Sequence, residues 1–302
     1  MPAFTTAKPS PGTQLRALMD AGTIGAPGAF NALCGLAIAQ AGFSACYVSG
    51  AATSVIAGVP DVGLLGLQDF CRTIREIHQA TGLPIMADAD TGFGEAEMVR
   101  KTVIEYALAG AAGLHLEDQQ FPKRCGHLDG KALVPAEHMA EKVQWASKAA
   151  RGISDGNFII CARTDARGVE GIDSAIKRAS LYVESGADML FPEGLATADE
   201  FATFAIAIRT NFPSRKVYLL ANMTEFGKTP IIPESTFAAM GYHFVIYPVS
   251  MLRVAMGAVS KALATLKTEG SVQSLLPQMQ TRQELYNLIG YTPGTPWEAK
   301  DR

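Results

Sequence analysis

Residues 157–165 read NFIICARTD, an apolar run of β-prone side chains that ends in three polar residues. Near-continuous apolar runs of this length are typical of parallel strands, which are buried on both faces of their sheet. The chain contains further runs of the same kind at 24–30, 45–50, 84–89, 113–118, 187–193, 216–222 and 243–248. The pattern therefore predicts eight buried strands that lie parallel to one another.

Helical patterns separate these runs. Apolar residues recur at helical spacing in 67–77 and again in 171–186. A glycine that can end a helix precedes a strand at four joins, Ala41-Gly42, Ala109-Gly110, Ser185-Gly186 and Met240-Gly241. Repeated strand–helix units predict an α/β fold of the (β/α)8 TIM-type barrel class. The alternative is an open doubly wound sheet, although no G-x-G-x-x-G follows any strand.

The length of 302 residues fits one barrel domain over 1–302, with the barrel itself at about 20–265. Residues 266–302 form a predicted helical segment beyond the eighth unit. This segment contains Met279, Leu285, Tyr286 and Trp297, so it is too apolar for a solvated tail. We expect it to dock on the barrel or on a partner subunit.

Composition excludes several classes of partner. Lys+Arg 26 against Asp+Glu 29 leaves no basic excess for nucleic acid. The charge-free stretch 21–60 is too rich in glycine to be a membrane helix. Five cysteines, an odd number, indicate a reducing compartment and hence a cytoplasmic protein. No acid precedes Asp20, so the mitochondrial matrix stays open for a eukaryotic source. The charged fraction of 18% is low and favours a large interior or a buried subunit interface; together with the apolar C-terminal segment it leads us to expect at least a dimer.

Polar residues gather where the predicted strands end, which is where a barrel places its active site. They include Ser49, Asp88, Asp90, Glu117, Asp118, Arg163, Asp165, Glu193 and Asn222. Asp88 and Asp90 are two residues apart on an extended segment, so both carboxylates point to one face. Oxygen ligands of this kind suit Mg²⁺, with Mn²⁺ as an alternative. A turn that is merely rich in helix-capping acids is the competing interpretation.

The loop after the fourth strand carries the sequence Lys123-Arg124-Cys125-Gly126-His127. Two cations and a histidine beside one thiol are expected to lower its pKa and make Cys125 reactive. An ordinary surface cysteine is the alternative. The remaining cysteines, Cys34, Cys46, Cys71 and Cys161, lie in apolar patterns and are expected to be inert core residues.

These motifs carry a family resemblance. The motifs that carry it follow one another along the chain: Ser49-Gly50, Pro60-Asp61, DADTGFG at 88–94, GLHLEDQ at 113–119 and KRCGH at 123–127. Further matching segments lie at 163–166, 191–193, 222–227, 247–248 with Arg253, and 279–282. Over about residues 10–291 the chain resembles the isocitrate lyase / phosphoenolpyruvate mutase superfamily. The cysteine loop is typical of its lyase branch.

The resemblance implies a barrel whose eighth helix is swapped between subunits of a homotetramer, with Mg²⁺ held through Asp88 and Asp90. It implies a carbon–carbon lyase that splits 2-methylisocitrate to pyruvate and succinate, a step of propionate catabolism by the methylcitrate cycle. Ser49, Gly50, Ala51 and Arg163 would bind the pyruvate part, and Cys125 and Gly126 would belong to a gating loop. The other carboxylates would meet Glu193, Asn222, Met223, Thr224, Arg253 and Arg282. Asp61, Lys123, Arg124 and His127 are further candidates.

The chemistry needs a base for the substrate hydroxyl and an acid for the carbanion. We expect Cys125 to be the acid, while Tyr47 and Glu117 both remain candidates for the base. Ala51-Ala52 and Leu128-Asp129-Gly130 depart from the family pattern and leave the exact substrate open. Alternatives are a lyase or hydrolase for 2,3-dimethylmalate or oxaloacetate, a phosphonate-metabolising enzyme, a Schiff-base aldolase using Lys123, and an inactive binding barrel.

Overall fold

The computed structural model describes residues 8–124, 126 and 130–297 and contains one parallel sheet of eight strands. The strands are β1 (Ile24–Pro27), β2 (Cys46–Val48), β3 (Ile85–Asp88), β4 (Gly113–Glu117), β5 (Ile159–Thr164), β6 (Met189–Pro192), β7 (Tyr218–Asn222) and β8 (Phe244–Tyr247). Each strand lies inside one of the predicted runs, so the eight predicted strands are confirmed. The observed strands are shorter because the polar residues at their ends turn into loops.

The sheet closes on itself. β1 pairs with β8, beginning with Ile24 beside Phe244. At the remaining seam Gly28 bridges to Tyr47, and the Ala29 amide donates to the Tyr47 carbonyl at 2.9 Å. The (β/α)8 prediction is therefore confirmed, and the open doubly wound sheet is excluded.

Helices cover the outside of the barrel. They are α1 (Pro11–Ala21), α2 (Ala32–Gln40), α3 (Gly50–Ile56), α4 (Leu67–Thr81), α5 (Ala96–Ala109), α6 (Ala136–Arg151), α7 (Ile172–Glu184), α8 (Ala198–Asn211), α9 (Glu234–Met240), α10 (Ser250–Glu269) and α11 (Arg282–Ile289), with short 3-10 turns at Ser154–Gly156, Ala166–Gly168 and Gln273–Gln278. α4 and α7 confirm the two helical patterns. Among these helices of the described chain, none has the length and apolar character needed to cross a membrane.

The four glycine joins all adopt the positive φ that ends a helix, with values from 86° to 113° at Gly42, Gly110, Gly186 and Gly241. The sequence patterns did not separate two other features. α1 precedes the first strand, and β2 is followed by two helices, α3 and α4, instead of one. Ser49 caps α3, since its Oγ accepts a hydrogen bond from the Ala52 amide at 3.3 Å.

The core has two layers. One lies between the strands and the surrounding helices, and the other fills the barrel. Leu15 and Met19 of α1 join the inner layer together with residues at the beginnings of strands, such as Ala45 and Ala112. α1 thus plugs the N-terminal end of the barrel. The opposite end, where the strands finish, is left for the functional site.

The last long helix, α10, differs from the others because most of its apolar side chains are exposed. Leu252 is its buried residue, whereas Val254 and Leu263 are 70% and 61% exposed. Further along the chain, α11 packs against α2. An apolar helix of twenty residues therefore projects from the barrel with little cover from its own chain.

Candidate active site

A cavity of about 90 Å³ lies at the C-terminal ends of the strands. It is lined by residues from seven of the predicted strand ends and the loops after them: Tyr47, Ser49, Ala51, Asp61, Asp88, Gly126, Arg163, Phe191, Glu193, Asn222, Thr224, Ile246, Pro248, Val249 and Arg253. Most of the candidate substrate-binding residues are thus brought to one place.

Arg163 is the centre of this cavity and is only 7% exposed. Its Nε and Nη2 donate to the two oxygens of Asp165 at 3.0 and 3.1 Å. Its Nη1 lies 3.0 Å from Glu117 Oε2, and Nη2 lies 3.7 Å from Glu193 Oε2. Burial opposes the charged guanidinium, but the carboxylates of Asp165, Glu117 and Glu193 outweigh burial and raise the Arg163 pKa. The arginine is therefore a fixed cation.

The two candidate bases differ in position. Glu117 is 2% exposed and is absent from the cavity wall, and burial raises its pKa well above the ordinary value despite the opposing charge of Arg163. Tyr47 lines the cavity, and its hydroxyl lies 2.7 Å from His115 Nε2. Burial, and then the charge of Asp88, raise the Tyr47 pKa. Tyr47 is thus the one of the two that a ligand in this cavity would touch.

His115 is a core residue of β4, as expected. Burial lowers its pKa to about 4, so the imidazole is neutral near pH 7. A neutral imidazole carries one donor and one acceptor nitrogen, and it can therefore accept the hydrogen bond of the Tyr47 hydroxyl. The patterns placed His115 in the core but gave no indication that it orients Tyr47.

Asp88 and Asp90 lie side by side and are 5% and 6% exposed. Asp88 accepts from the Gly50 amide through Oδ2 and from the Asp90 amide through Oδ1, both at 3.0 Å. Burial, followed by the neighbouring Asp88, raises the Asp90 pKa to about 7. Burial also opposes ionisation of Asp88, but His115, Lys123 and Arg163 together lower its pKa. The pair is a site of concentrated negative charge.

This pair fits a hard divalent cation. A Cβ atom on Gly50 would lie 2.7 Å from Asp88 Oδ2 and 3.1 Å from Asp90 Oδ1, so glycine keeps the space beside both carboxylates open. In residues 8–124, 126 and 130–297, no three His, Cys, Asp or Glu side chains converge as a metal cage. Mg²⁺ commonly binds through one or two carboxylates with water or substrate in its other positions, which matches two preformed ligands.

Lys123, a further site candidate, lies beside the acidic pair. Its ammonium is 3% exposed, lies 2.6 Å from Asp90 Oδ1 and also pairs with Asp61. Burial disfavours its charge, but Glu117, Asp88, Asp90 and Asp61 raise the pKa of Lys123. Lys123 therefore balances the acidic pair. An amine held in its protonated form is not a nucleophile, which argues against the Schiff-base aldolase.

The cysteine loop is only partly described, because Cys125, His127, Leu128 and Asp129 lie outside the described residues. The Arg124 amide donates to Gln119 Oε1 at 2.9 Å, and the Arg124 carbonyl accepts from Gln119 Nε2 at 2.8 Å. Arg124 lines a separate cleft beside Gly130 instead of the central cavity. The candidate role of Arg124 in the site therefore stays a prediction.

Gly126 packs directly on the central arginine. A Cβ atom there would lie 2.5 Å from both Arg163 Nη2 and Glu193 Cγ, so only glycine fits. Lys131 contacts the same group, since its Nζ donates to the Gly126 carbonyl and to Asp165 Oδ1, the latter at 2.7 Å. Lys131 was missed by the sequence patterns, because nothing but its place in the loop sets it apart from surface lysines.

Four of the remaining candidates lie at the cavity and two lie away from it. Asn222 Nδ2 lies 3.2 Å from Glu193 Oε2, and Arg253 donates to the Glu225 carbonyl at 2.6 Å and to Thr224 Oγ1 at 3.4 Å. These four candidates, Glu193, Asn222, Thr224 and Arg253, line the cavity.

Two predicted ligands lie elsewhere in this chain. Met223 is in the hydrophobic core, where its Sδ accepts from the Ile232 amide at 3.3 Å. Arg282 begins α11, which packs on α2, and it is absent from the cavity wall. Neither side chain lines the cavity within one subunit, so their contact with the substrate stays a prediction.

A larger cavity of about 730 Å³ adjoins Asp90 between the loops that follow β3 and β4. Its charged groups are already paired, since His138 Nε2 lies 2.5 Å from Glu95 Oε2. Leu65, Phe93 and Phe121 provide much of its wall. The smaller cavity is the candidate active site, because it alone collects the buried Arg163, Asp88 and Glu193.

Comparisons with known proteins identify the family of this chain. Residues 15–267 match the family described as phosphoenolpyruvate phosphomutase. The chain is 48% identical to a protein named probable 2-methylisocitrate lyase 1 from Corynebacterium glutamicum, over 88% of this chain and 84% of that protein. It is 44% identical to 2-methylisocitrate lyase from Bacillus subtilis, over 91% and 87%. A crystal structure of 2,3-dimethylmalate lyase superposes with a TM-score of 0.85 at 32% identity, covering 93% and 92%.

The fold and the paired acids beside a buried arginine define an enzyme of the barrel class. The chain belongs to the phosphoenolpyruvate mutase / isocitrate lyase superfamily. The two relatives named above are carbon–carbon lyases by their names, so the resemblance seen in the sequence motifs is confirmed.

Removing one carboxylate should weaken divalent-cation binding. We expect Mg²⁺ and Mn²⁺ to raise the melting temperature of the wild-type protein and to have little effect on Asp90→Asn, because the amide carries no charge. Asp199→Asn, an exposed acid in the first turn of α8, is the matched control and should respond as wild type. An equal Mg²⁺-dependent shift in Asp90→Asn, measured by thermal unfolding, would show that the pair is not the cation site.

Proposed function

We propose that this protein is a Mg²⁺-dependent lyase that cleaves 2-methylisocitrate to pyruvate and succinate. The observation that carries the proposal is that the buried acid Asp88 and the fixed cation Arg163 line one cavity, with Asp90 directly beside Asp88. Identities of 48% and 44% to named 2-methylisocitrate lyases, over most of both chains, support this substrate.

The reaction breaks the bond between the hydroxyl-bearing carbon and its neighbour. The hydroxyl loses its proton, its oxygen becomes the carbonyl of pyruvate, and the electron pair of the broken bond passes to the neighbouring carbon. That carbon becomes a carbanion beside a carboxylate and takes up a proton to give succinate. Asp88 and Asp90 would hold the divalent cation, which would supply Lewis-acid catalysis when bound.

Tyr47 is the group that we assign to the hydroxyl proton: its phenol takes this proton while its own proton passes to Nε2 of the neutral His115. Its phenol faces the cavity and is oriented by the neutral His115 at 2.7 Å, whereas Glu117 is covered by Arg163. Arg163 binds the carboxylate of the pyruvate part, and Ser49, Gly50 and Ala51 surround it. A guanidinium in a nearly dry site stabilises such a carboxylate strongly and needs no rearrangement during the reaction.

Cys125 remains our choice for the acid that protonates the carbanion. The structure leaves no competitor among the described thiols, because burial raises the pKa of Cys46 to about 12 and that of Cys71 to about 11. Cys34 and Cys161 also have raised pKa values through burial. None of these four lines the cavity.

A second candidate substrate is 2,3-dimethylmalate, since a lyase named for it has the same fold at a TM-score of 0.85. Steady-state kinetics should separate the two. With Mg²⁺ present we expect kcat/KM for 2-methylisocitrate to exceed that for isocitrate by about 10- to 200-fold, the usual worth of one apolar carbon in a pocket. Turnover of 2,3-dimethylmalate or oxaloacetate with a higher kcat/KM than 2-methylisocitrate would overturn the proposal.

Replacing the thiol should abolish proton delivery without loss of binding. We expect Cys125→Ser to lower kcat by about 10²- to 10⁴-fold with KM nearly unchanged, because the hydroxyl is a much weaker acid than the thiol. Cys34→Ser, at a half-buried thiol of α2, is the control and should keep wild-type kinetics. Wild-type turnover in Cys125→Ser, under conditions where chemistry limits the rate, would remove the thiol from the mechanism.

We also propose a reducing, cytoplasmic setting and a swapped assembly of four subunits. Cys34, Cys46, Cys71 and Cys161 are free thiols, which fits the reducing compartment. The uncovered apolar face of α10 fits a helix that packs on a second copy of the chain, since an isolated helix gains little stability without such packing.

Charges on that face should disrupt the assembly. We expect wild-type protein to sediment as a tetramer, and Val259→Asp combined with Leu263→Asp, which lie one turn apart on the same side of α10, to give smaller species. Ile206→Asp, at an apolar side chain of α8 that is 56% exposed, is the control and should not change the sedimentation coefficient. A stable, active wild-type monomer at micromolar concentration would contradict the proposed swap.

A further inference from the structure

Lys131 is a buried cation that the reaction described above does not use. Its side chain is 4% exposed, and its Nζ is bonded to Asp165 Oδ1 and to the Gly126 carbonyl. It is absent from the wall of the substrate cavity. A buried ammonium is costly unless it is fully paired, so its place beside Asp165 calls for an explanation.

The explanation lies in the charge balance around Arg163. Three carboxylates, from Glu117, Asp165 and Glu193, approach this one guanidinium within 3.7 Å. Charges at such distances interact strongly in a nearly dry site. A guanidinium so heavily neutralised would have little attraction left for a carboxylate of the substrate.

Lys131 supplies a second positive charge at Asp165, the acid that Arg163 binds through two hydrogen bonds. Asp165 Oδ1 lies 3.1 Å from Arg163 Nη2 and 2.7 Å from Lys131 Nζ, so one oxygen is shared by both cations. The carboxylate can thus orient the arginine through two hydrogen bonds while part of its charge is balanced from the other side.

We propose that Lys131 is a positioning residue that keeps Arg163 electropositive toward the substrate by sharing the charge of Asp165. The inference rests on the proposed function, in which Arg163 binds a substrate carboxylate. A purely structural anchor that only ties Gly126 to Asp165 is the competing role. The charge-sharing role requires the negative charge of Asp165 to affect substrate affinity, whereas the anchoring role does not.

A double-mutant cycle separates them. We expect Lys131→Met to raise KM for 2-methylisocitrate about 10- to 100-fold with kcat changed less than about 3-fold, within the range for losing one member of a buried charge pair. Lys131→Arg should stay within about 3-fold of wild type. Adding Asp165→Asn to Lys131→Met should recover a large part of the lost affinity, because the excess negative charge is removed while an oxygen remains to orient Arg163.

Lys142→Met is the matched control. Lys142 is also a buried lysine, with a side chain 8% exposed, but its Nζ donates to the Thr91 carbonyl at 3.3 Å and has no contact with Arg163. We expect a loss of thermal stability in this variant without a rise in KM.

Two outcomes would overturn the inference. One is a KM in the double variant no lower than in Lys131→Met, as expected for a structural anchor. The other outcome applies if the single variant Lys131→Met does not fold. The double variant is then compared with Asp165→Asn alone, and charge sharing predicts that their KM values differ by less than about 3-fold. A larger difference contradicts the charge-sharing role.

A binding measurement keeps this test separate from the proposed function. Oxalate, a small planar dicarboxylate, can be titrated by calorimetry into each variant with Mg²⁺ present. If wild-type protein does not cleave 2-methylisocitrate, the proposed substrate is wrong, and the oxalate affinities still decide the role of Lys131. We expect the same order, with wild type and Lys131→Arg tightest, the double variant intermediate and Lys131→Met weakest. Equal affinities in all variants would contradict the inference.

Discussion

The burial of Arg163 is the constraint on which the site depends, because a cation at 7% exposure must be paired to be tolerated. The sheet provides that pairing through its register. Glu117 is the direct neighbour of Arg163 across β4 and β5, and Phe191 is its neighbour across β5 and β6, with its ring 5.3 Å from the guanidinium carbon. Glu193 follows two residues after Phe191. A shift of either strand by one residue would turn these side chains to the other face of the sheet.

A second buried acid holds the end of β5 in this register. Asp118 is fully buried and accepts hydrogen bonds from Thr164 Oγ1 at 2.7 Å, the Asp165 amide at 2.9 Å and the Tyr182 hydroxyl at 2.9 Å. Burial is the main cause of its raised pKa. Because Asp118 bonds the backbone between Arg163 and the 3-10 turn that follows, it orients Asp165 toward the guanidinium. Arg178 Nη1 also lies 3.6 Å from Asp118 Oδ2, so the charged centre rests on a second buried acid that has its own cation.

The strand ends could be predicted from the sequence because each apolar run stops at polar residues. Asp88, Arg163, Glu193 and Asn222 all lie at such positions. The chain neighbours of Lys123 suggested its effect on Cys125, but they gave no sign that the fold pairs its ammonium with Asp61 and Asp90. The roles of Lys131 and His115 depend on contacts between residues distant in the chain. Such contacts leave no periodic signal in a single sequence.

Charge recognition and substrate choice have different physical origins in this cavity. Arg163 and the acidic pair recognise features that all 2-hydroxy acids of this class share, so a common fold and common charged groups do not distinguish one substrate from another. The wall also contains Ala51, Phe191 and Ile246, which offer only dispersion and desolvation. One methyl group in such a pocket contributes about 1–3 kcal/mol to discrimination. Substrate choice within the superfamily therefore depends on a few apolar contacts, and for this reason identity along the chain is better evidence for the substrate than the superposition of barrels.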